Sequence, residues 1–249
     1  MAVLLIKLAA PLQSWGAASR FSVRKTELAP TKSGVIGMLA AAEGRRRTDP
    51  IEDLLSLRFG VRKDQPGSVI RDFQTARSLD GKDAMPLSQR YYLADAVFLA
   101  GIEGEVSLLQ GLHEALQRPI FPLYLGRRSC PPTQPLSLGV REGELLDVLS
   151  QEPWIAATWF KDKWQREQQN KQRRGQQFLP FEAEILIDSD AVPDAERKGS
   201  YGSRDVPLSF NPEKRDYGFR EVERQVTHLG TDRVVPDPHD PMAELEVND

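Results

Sequence analysis

Apolar residues run almost unbroken from Ala2 to Leu8, interrupted only by Lys7, and Pro11 closes the run. A short continuous block of this kind predicts a strand buried on both faces. A second apolar block, Val35, Ile36, Met38, Leu39 and three alanines, follows the polar opening Thr31-Lys32-Ser33-Gly34. Pro30 with Thr31 or Ser33 is a helix start signal and Gly44 a stop signal, so the spacing predicts a helix over 32–43, buried against a sheet. Asp49 and Pro50 open a short helix with Ile51, Leu54 and Leu55 on its apolar side, and Arg58–Lys63 alternates as a half-exposed strand. From Asp64 to about Arg90 the chain is polar and carries Pro66, Gly67, Gly81 and Pro86, too long a stretch for a simple turn. Within it Ser68–Gln74 and Ser88–Tyr92 read as the two strands of a ribbon. Tyr92–Ile102 reads as a second buried strand. Residues 105–117 repeat Val106, Leu109, Leu112 and Leu116 at helical spacing up to Pro119, and Ile120–Leu125 reads as a further strand ended by Gly126.

Residues 1–126 therefore read β-α-β, long insertion, β-α-β, the ferredoxin-like order shared by RNA-recognition domains. The predicted fold class is α+β. A ferredoxin-like domain over 1–132, with a ribbon insertion at about 68–92, precedes a smaller, partly β region over 133–234. In that region a short helix is expected at 143–151 and strands at Phe178–Ile187 and Phe219–Val226, with mostly loop between Asp188 and Tyr217. The segment Lys161–Gln177 is either an exposed helix or a mobile loop. Residues 235–249, with three prolines and five acids, predict a disordered tail.

Charge is more informative in its distribution than in its sum. The 249 residues carry a net charge of −3, yet the first 48 hold eight Lys/Arg against two acids. Six more basic residues lie between Lys161 and Arg174, against Asp162 and Glu167. Local positive surface on an acidic body suits a defined anionic ligand and protein partners. The single cysteine, Cys130, allows no intramolecular disulfide and points to a reducing compartment. The apolar opening lacks a basic leader and no run approaches about 20 residues, so a cytoplasmic location without membrane contact is expected.

The first turn of the 32–43 helix presents unpaired N–H groups beside Lys32 and Ser33, an arrangement able to hold a phosphate. It is not a nucleotide-binding loop, because Lys32-Ser33 precede the glycine and the GxxxxGK[ST] spacing is missing. One cysteine and scattered histidines cannot close a zinc shell, and no cofactor or metal is expected. Of His113, His228 and His239, only His228 is placed to serve a site, and a metal-independent ribonuclease pairing it with Lys or Tyr stays open. Arginines interleaved with rings are better represented: Arg20, Phe21, Arg24 and Lys25 before the helix, and Arg71, Phe73, Arg77, Arg90, Tyr91 and Tyr92 in the insertion. That mixture suits single-stranded RNA, whose bases stack on rings while its phosphates take cations. Tyr92 and Phe98 read as packing residues.

The segments LLIKLAAPLQSWG, PTKSGVIGMLAAAEGR, SQRYYLADAVFLAG and YLGRRSCPP occur in that order between Leu4 and Pro132, with a weaker match through RDVPLSFNPEKRDYGFREV. In these the chain resembles the CasD family, the RAMP-superfamily subunit of the type I-E CRISPR Cascade complex that caps the 5′ end of the guide RNA in antiviral defence. Glu43 within AAAEG and the long acidic tail depart from the pattern without touching the shared segments. The resemblance implies a noncatalytic ribonucleoprotein subunit with a modified RNA-recognition fold, whose protruding thumb corresponds to residues 68–92. Its implied partners are the crRNA 5′ handle, the adjacent backbone subunit and the large PAM-reading subunit, with target DNA met indirectly. A related branch cleaves precursor guide RNA, which keeps a metal-independent endonuclease as the alternative. On the chemistry of these residues, Lys32, Ser33 and Gly34 are expected to hold a handle phosphate, with Arg20, Arg24 and Lys25 lining the same face. Arg127 and Arg128 are expected to approach from their loop, and Arg71, Arg77 and Arg90 to follow the guide along the ribbon.

Overall fold

The computed structural model describes residues 1–16, 23–84, 86–133 and 135–230. In chain order the elements are β1 (Ala2–Ala9), β2 (Leu12–Gln13), β3 (Val23–Arg24), α1 (Lys32–Ala42), α2 (Glu52–Leu55), β4 (Arg58–Gln65), β5 (Ser68–Gln74), β6 (Ser88–Ala94) and β7 (Val97–Gly104). They continue with α3 (Val106–Gln117), β8 (Ser137–Glu142), α4 (Leu145–Gln151), α5 (Thr158–Arg173), β9 (Phe181–Asp188), β10 (Ser200–Ser209) and β11 (Asp216–Leu229). Seven strands form one antiparallel sheet in the order β10-β11-β9-β4-β7-β1-β8. Its β4-β7-β1-β8 part, with α1 and α3 as the two crossovers, is the ferredoxin-like unit expected from the sequence.

β1 explains why its sequence does not alternate. Leu4, Ile6 and Leu8 enter a core shared with Val35, Ile36 and Leu39 of α1 and Leu109, Leu112 and Leu116 of α3. Val3 and Leu5 face the other way and pack with Leu99, Ile185 and Ile187 beneath Leu145, Val148 and Leu149 of α4. Both faces of the sheet are thus covered in this region. The open face on which an ordinary RNA-recognition domain would stack bases is occupied by α4.

α1 is buried on nearly every side, as its composition predicts. Thr31 caps its start by accepting the Gly34 N–H at 3.2 Å. At its end Gly44 takes φ +81°, its N–H donates to the Ala41 carbonyl, and the Arg45 N–H donates to that of Ala40.

Five readings from the sequence are corrected. Ile120–Leu125 is not a strand: the Ile120 and Phe121 N–H groups donate to the carbonyls of Ala42 and Ala41, so the segment covers the end of α1. The fourth ferredoxin-like strand is β8, seated on β1 beyond the expected boundary at 132, and β9–β11 continue the same sheet. The loop expected from Asp188 to Tyr217 contains β10. The expected strand Tyr92–Ile102 is two strands, broken at Asp95, whose φ of +56° turns the chain out of one sheet and into the other. The short second helix begins at Glu52, with Asp49 accepting the Arg46 N–H instead of capping it. Residues 161–177 resolve into α5 up to Arg173. The acidic tail expected over 235–249 lies outside the described residues.

Candidate nucleic-acid interface

The second sheet is the expected ribbon. β6 is its centre, paired with β5 along its whole length from Ser68↔Ala94 to Gln74↔Ser88. Its other edge takes β2 antiparallel at Leu93 and Ala94 and β3 parallel at Gln89 and Arg90. The ribbon joins the main sheet where β4 passes into β5 and β6 into β7. Gly67 makes that turn possible, since a Cβ there would lie 2.4 Å from the Ala94 carbonyl oxygen. Buried Gln13 donates to the Ala96 carbonyl at 2.7 Å, and the Gln65 side chain bonds the Asp95 carbonyl.

Cross-strand register sorts the candidate residues by face. Arg24, Arg90 and Asp72 stand side by side across β3, β6 and β5. Tyr91 pairs with Arg71, and Phe73, 68% exposed, pairs with Gln89 opposite Val23. Arg24, Lys25, Arg71, Arg77 and Arg128 are exposed, and their side chains have no protein partner among the described residues. Arg90 is half-buried, and its Nε is shielded from solvent without a hydrogen-bond acceptor. A buried donor left unpaired is costly, and a phosphate or base oxygen would satisfy it. Tyr92 is core, 2% exposed, as expected. Arg20 and Phe21 lie outside the described residues.

Arg127 differs from what its loop position implied. It donates to the carbonyls of Tyr91 (3.0 Å), Arg24 (2.9 Å) and Lys25 (3.4 Å), and its guanidinium sits 4.7 Å from the centroid of the Tyr92 ring. It ties its loop to β6 and to the end of β3, and so positions the other basic residues. The loop is held in place by Gly126 at φ +86°, where a Cβ would overlap the Ser14 carbonyl oxygen. Arg128, exposed beside it, is the member of the pair free to meet a ligand.

The tip of α1 departs furthest from expectation. The Lys32 N–H donates to Asp205 Oδ2 at 2.7 Å, and its ammonium to Asp188 Oδ2 at 2.9 Å. Arg220 grips both carboxylates, Asp205 through Nε (2.7 Å) and Nη2 (3.0 Å) and Asp188 through Nη1 (2.6 Å). Its guanidinium also lies 5.2 Å from the centroid of the Phe59 ring. Burial pushes the Asp205 carboxyl up, but Arg220 and the Lys32 N–H outweigh that and hold it below the ordinary carboxylate range. Two cations and two anions cancel, and the anion at this helix start is the protein's own Asp205. Ser33 is buried, its hydroxyl 3.4 Å from that of Thr31. Gly34 is a glycine because a Cβ would lie 2.9 Å from the Trp15 ring. Lys32, Ser33 and Gly34 are thus drawn into packing and internal pairing, away from a ligand. Asp188, Asp205 and Arg220 were missed because the first two fall in the stretch read as loop and none has a local pattern.

His228 is exposed on β11 opposite Glu182. His113 lies 2.6 Å from the Ser137 hydroxyl and ties α3 to β8. Among the described residues no group of three or more His, Cys, Asp or Glu is arranged to hold a metal ion. Nor, among them, is any helix long and apolar enough to cross a membrane.

A ferredoxin-like antiparallel sheet extended by β9–β11, with a separate ribbon at its root, is the RAMP-like fold of CRISPR-associated proteins. Residues 3–223 match the family described as CRISPR-associated protein (Cas_Cas5), and the chain belongs to that family. It is 33% identical over 157 residues to the CRISPR system Cascade subunit CasD of Escherichia coli (strain K12), covering 55% of this chain and 70% of the relative. A crystal structure of a Cas protein superposes with a TM-score of 0.65 at 34% identity, covering 91% of this chain and 95% of that one. A chain of a CRISPR RNA-guided surveillance complex superposes at 0.70 and 30% identity, with 91% and 90% covered.

Proposed function

We propose that the chain is the guide-RNA-binding subunit of a Cascade-type surveillance complex, gripping the 5′ handle of crRNA with its ribbon and capping the backbone filament without cutting RNA. The observation that carries this reading is the set of unpaired cations on one ribbon, Arg24 beside Arg90 on one face and Arg71 beside Tyr91 on the other. The buried, acceptor-less Nε of Arg90 asks for an anionic or carbonyl oxygen from outside the chain. Phe73 and Tyr91 supply rings on which unstacked bases can rest. Family membership and the named roles of its relatives support the same reading. Its protein partners are the adjacent backbone subunit and the large PAM-reading subunit.

The test is handle-RNA binding by the assembled complex carrying Arg71→Ala and Arg90→Ala, measured across a salt series. Loss of two single-strand phosphate contacts lowers the slope of log affinity against log salt by about 1.4. Unchanged affinity and slope would falsify the ribbon grip.

A further inference from the structure

α5 is the element that the ribbon grip leaves without a role. Its inner side is fixed by aromatic packing: Trp154 stacks on Phe181 with centroids 4.8 Å apart, and Trp164 meets Trp154 and Phe178 edge-on, each at 5.5 Å. Gln168, 5% exposed, accepts the Leu179 N–H at 3.3 Å. The outer side is broad and includes exposed Asp162, Glu167 and Lys171, and along its middle runs one row. Trp159, Lys163, Arg166, Asn170 and Arg173 recur at intervals of four and three residues, which places them on one face, and all five are exposed. At about 1.5 Å per residue the row is about 21 Å long.

An ordinary solvated helix carries alternating charges and acid–base pairs one turn apart. Here Asp162 lies one turn before Arg166 and Lys163 one turn before Glu167, yet among the described residues no side-chain ion pair involves Lys163, Arg166 or Arg173. Arg166 instead turns its Nε onto the Asp162 carbonyl at 3.3 Å, leaving its Nη groups free. The helix is also bolted to the root of the ribbon. The Ala157 N–H donates to the Gln65 side chain at 3.2 Å, the Ile155 N–H to Asp64 at 2.8 Å, and the Trp154 indole N–H to the Asp64 carbonyl at 2.9 Å.

We infer that the outer row of α5 docks the phosphate backbone of duplex DNA. A straight, rigid row of cations matches the regular phosphates of a duplex. It lacks the interleaved rings that a flexible single strand would stack on, Trp159 alone standing at one end. The body is acidic, with a net charge of −3, so duplex binding by this chain must come from a local patch of this kind. The inference stands on α5 alone and is independent of the guide grip.

The test uses the purified full-length chain and a random-sequence DNA duplex a few turns long, with affinity read by fluorescence anisotropy over a salt series. The Lys163→Gln, Arg166→Gln, Arg173→Gln variant should lose about 2.7 units of log–log salt slope, at about 0.9 per phosphate, while handle-RNA binding stays as in the parent. The charge-keeping variant Lys163→Arg, Arg166→Lys, Arg173→Lys should retain the slope. That outcome separates lost charge from a damaged fold. An unchanged duplex slope in the neutral variant overturns the inference. So does an equal fall in handle-RNA binding, which would assign α5 to the guide, or failure of complex assembly with duplex affinity intact, which would assign it to a protein partner. Failure of the ribbon variants leaves this result untouched.

Discussion

Arg127 lies over the ring of Tyr92, 4.7 Å from its centroid, and turns its N–H groups onto three backbone carbonyls, of Tyr91 in β6, Arg24 in β3 and Lys25 just after it. Stacking on the ring and charged hydrogen bonds to carbonyls together hold the ribbon root by about 2 kcal/mol. Arg127→Ala should therefore weaken handle-RNA binding by releasing Arg24 and Lys25, without removing a phosphate contact. Affinity falls while the salt slope changes by less than for Arg71→Ala. Lys cannot supply the planar fork, so Arg127→Lys should behave like the alanine variant. Hydrogen exchange should show faster exchange at Glu27, whose N–H donates to the Trp15 carbonyl at 2.5 Å. Full protection there in both variants would refute the positioning role.

The start of α1 is expected to respond as a folding element. Lys32→Met removes one cation from a buried network and leaves Asp188 with Arg220 and the Phe59 N–H, a loss of about 3 kcal/mol. Gly34→Ala gains about 1 kcal/mol of helix propensity but forces a methyl against Trp15, a clash of about 1–3 kcal/mol, so the net change is destabilising. Urea unfolding followed by tryptophan fluorescence reads both. Handle-RNA affinity per folded molecule should be unchanged. A stable Lys32→Met protein with weakened RNA binding would restore the phosphate seat at this helix tip.

Glu103 of β7 gives the fold a pH dependence on the near-neutral side. Burial, reinforced by the Glu144 carboxylate at the start of α4, pushes its carboxyl from an ordinary 4.5 up to about 7, against the pull of Arg58 on β4, whose Nε lies 2.6 Å away. The folded state thus keeps this proton where the unfolded chain has released it. The stabilisation is complete below pH 4.5 and is lost as pH rises through about 7. Urea midpoints measured between these pH values should fall as pH rises, and Glu103→Gln, which stays uncharged throughout, should remove that component. An identical pH profile in the variant would show that the carboxyl titrates normally.

These sites differ in how far the sequence could reveal them. The continuous run of β1, the capped apolar block of α1 and the ribbon strands were legible because each is specified locally, by periodicity and by Pro, Thr and Gly at its ends. Ile120–Leu125 misled because it is apolar for a different reason: it closes the end of α1, and Pro122 sits within it. The true fourth strand, SLGVRE, is a half-exposed edge with a register shift opposite Leu5 and Ile6, so it has neither alternation nor a continuous run. β10 was hidden by Gly202 and Pro207, residues that an edge strand tolerates. In the candidate site, the exposed arginines of the ribbon were readable from composition. The fate of Lys32 was not, because its two carboxylate partners lie 156 and 173 residues away and only the assembled sheet brings them together.

The chain should leave precursor RNA intact. Metal-independent cleavage needs a base on the attacking 2′-hydroxyl and an acid on the leaving oxygen, each within hydrogen-bond reach of the reacting atoms. His228, the histidine singled out by sequence for such a role, is exposed on β11 with Glu182 as its cross-strand neighbour. Among the described residues neither Lys nor Tyr is hydrogen-bonded to it. It stands on the large sheet, whereas Arg24, Arg71 and Arg90 of the proposed grip stand on the ribbon. Incubating the purified chain with repeat RNA, in magnesium and separately in EDTA, should return uncut RNA over hours, and His228→Ala should bind handle RNA as the parent does. Cleavage at one position in EDTA, abolished by His228→Ala, would make the chain a processing endonuclease and would require the RNA to pass from the ribbon across β11.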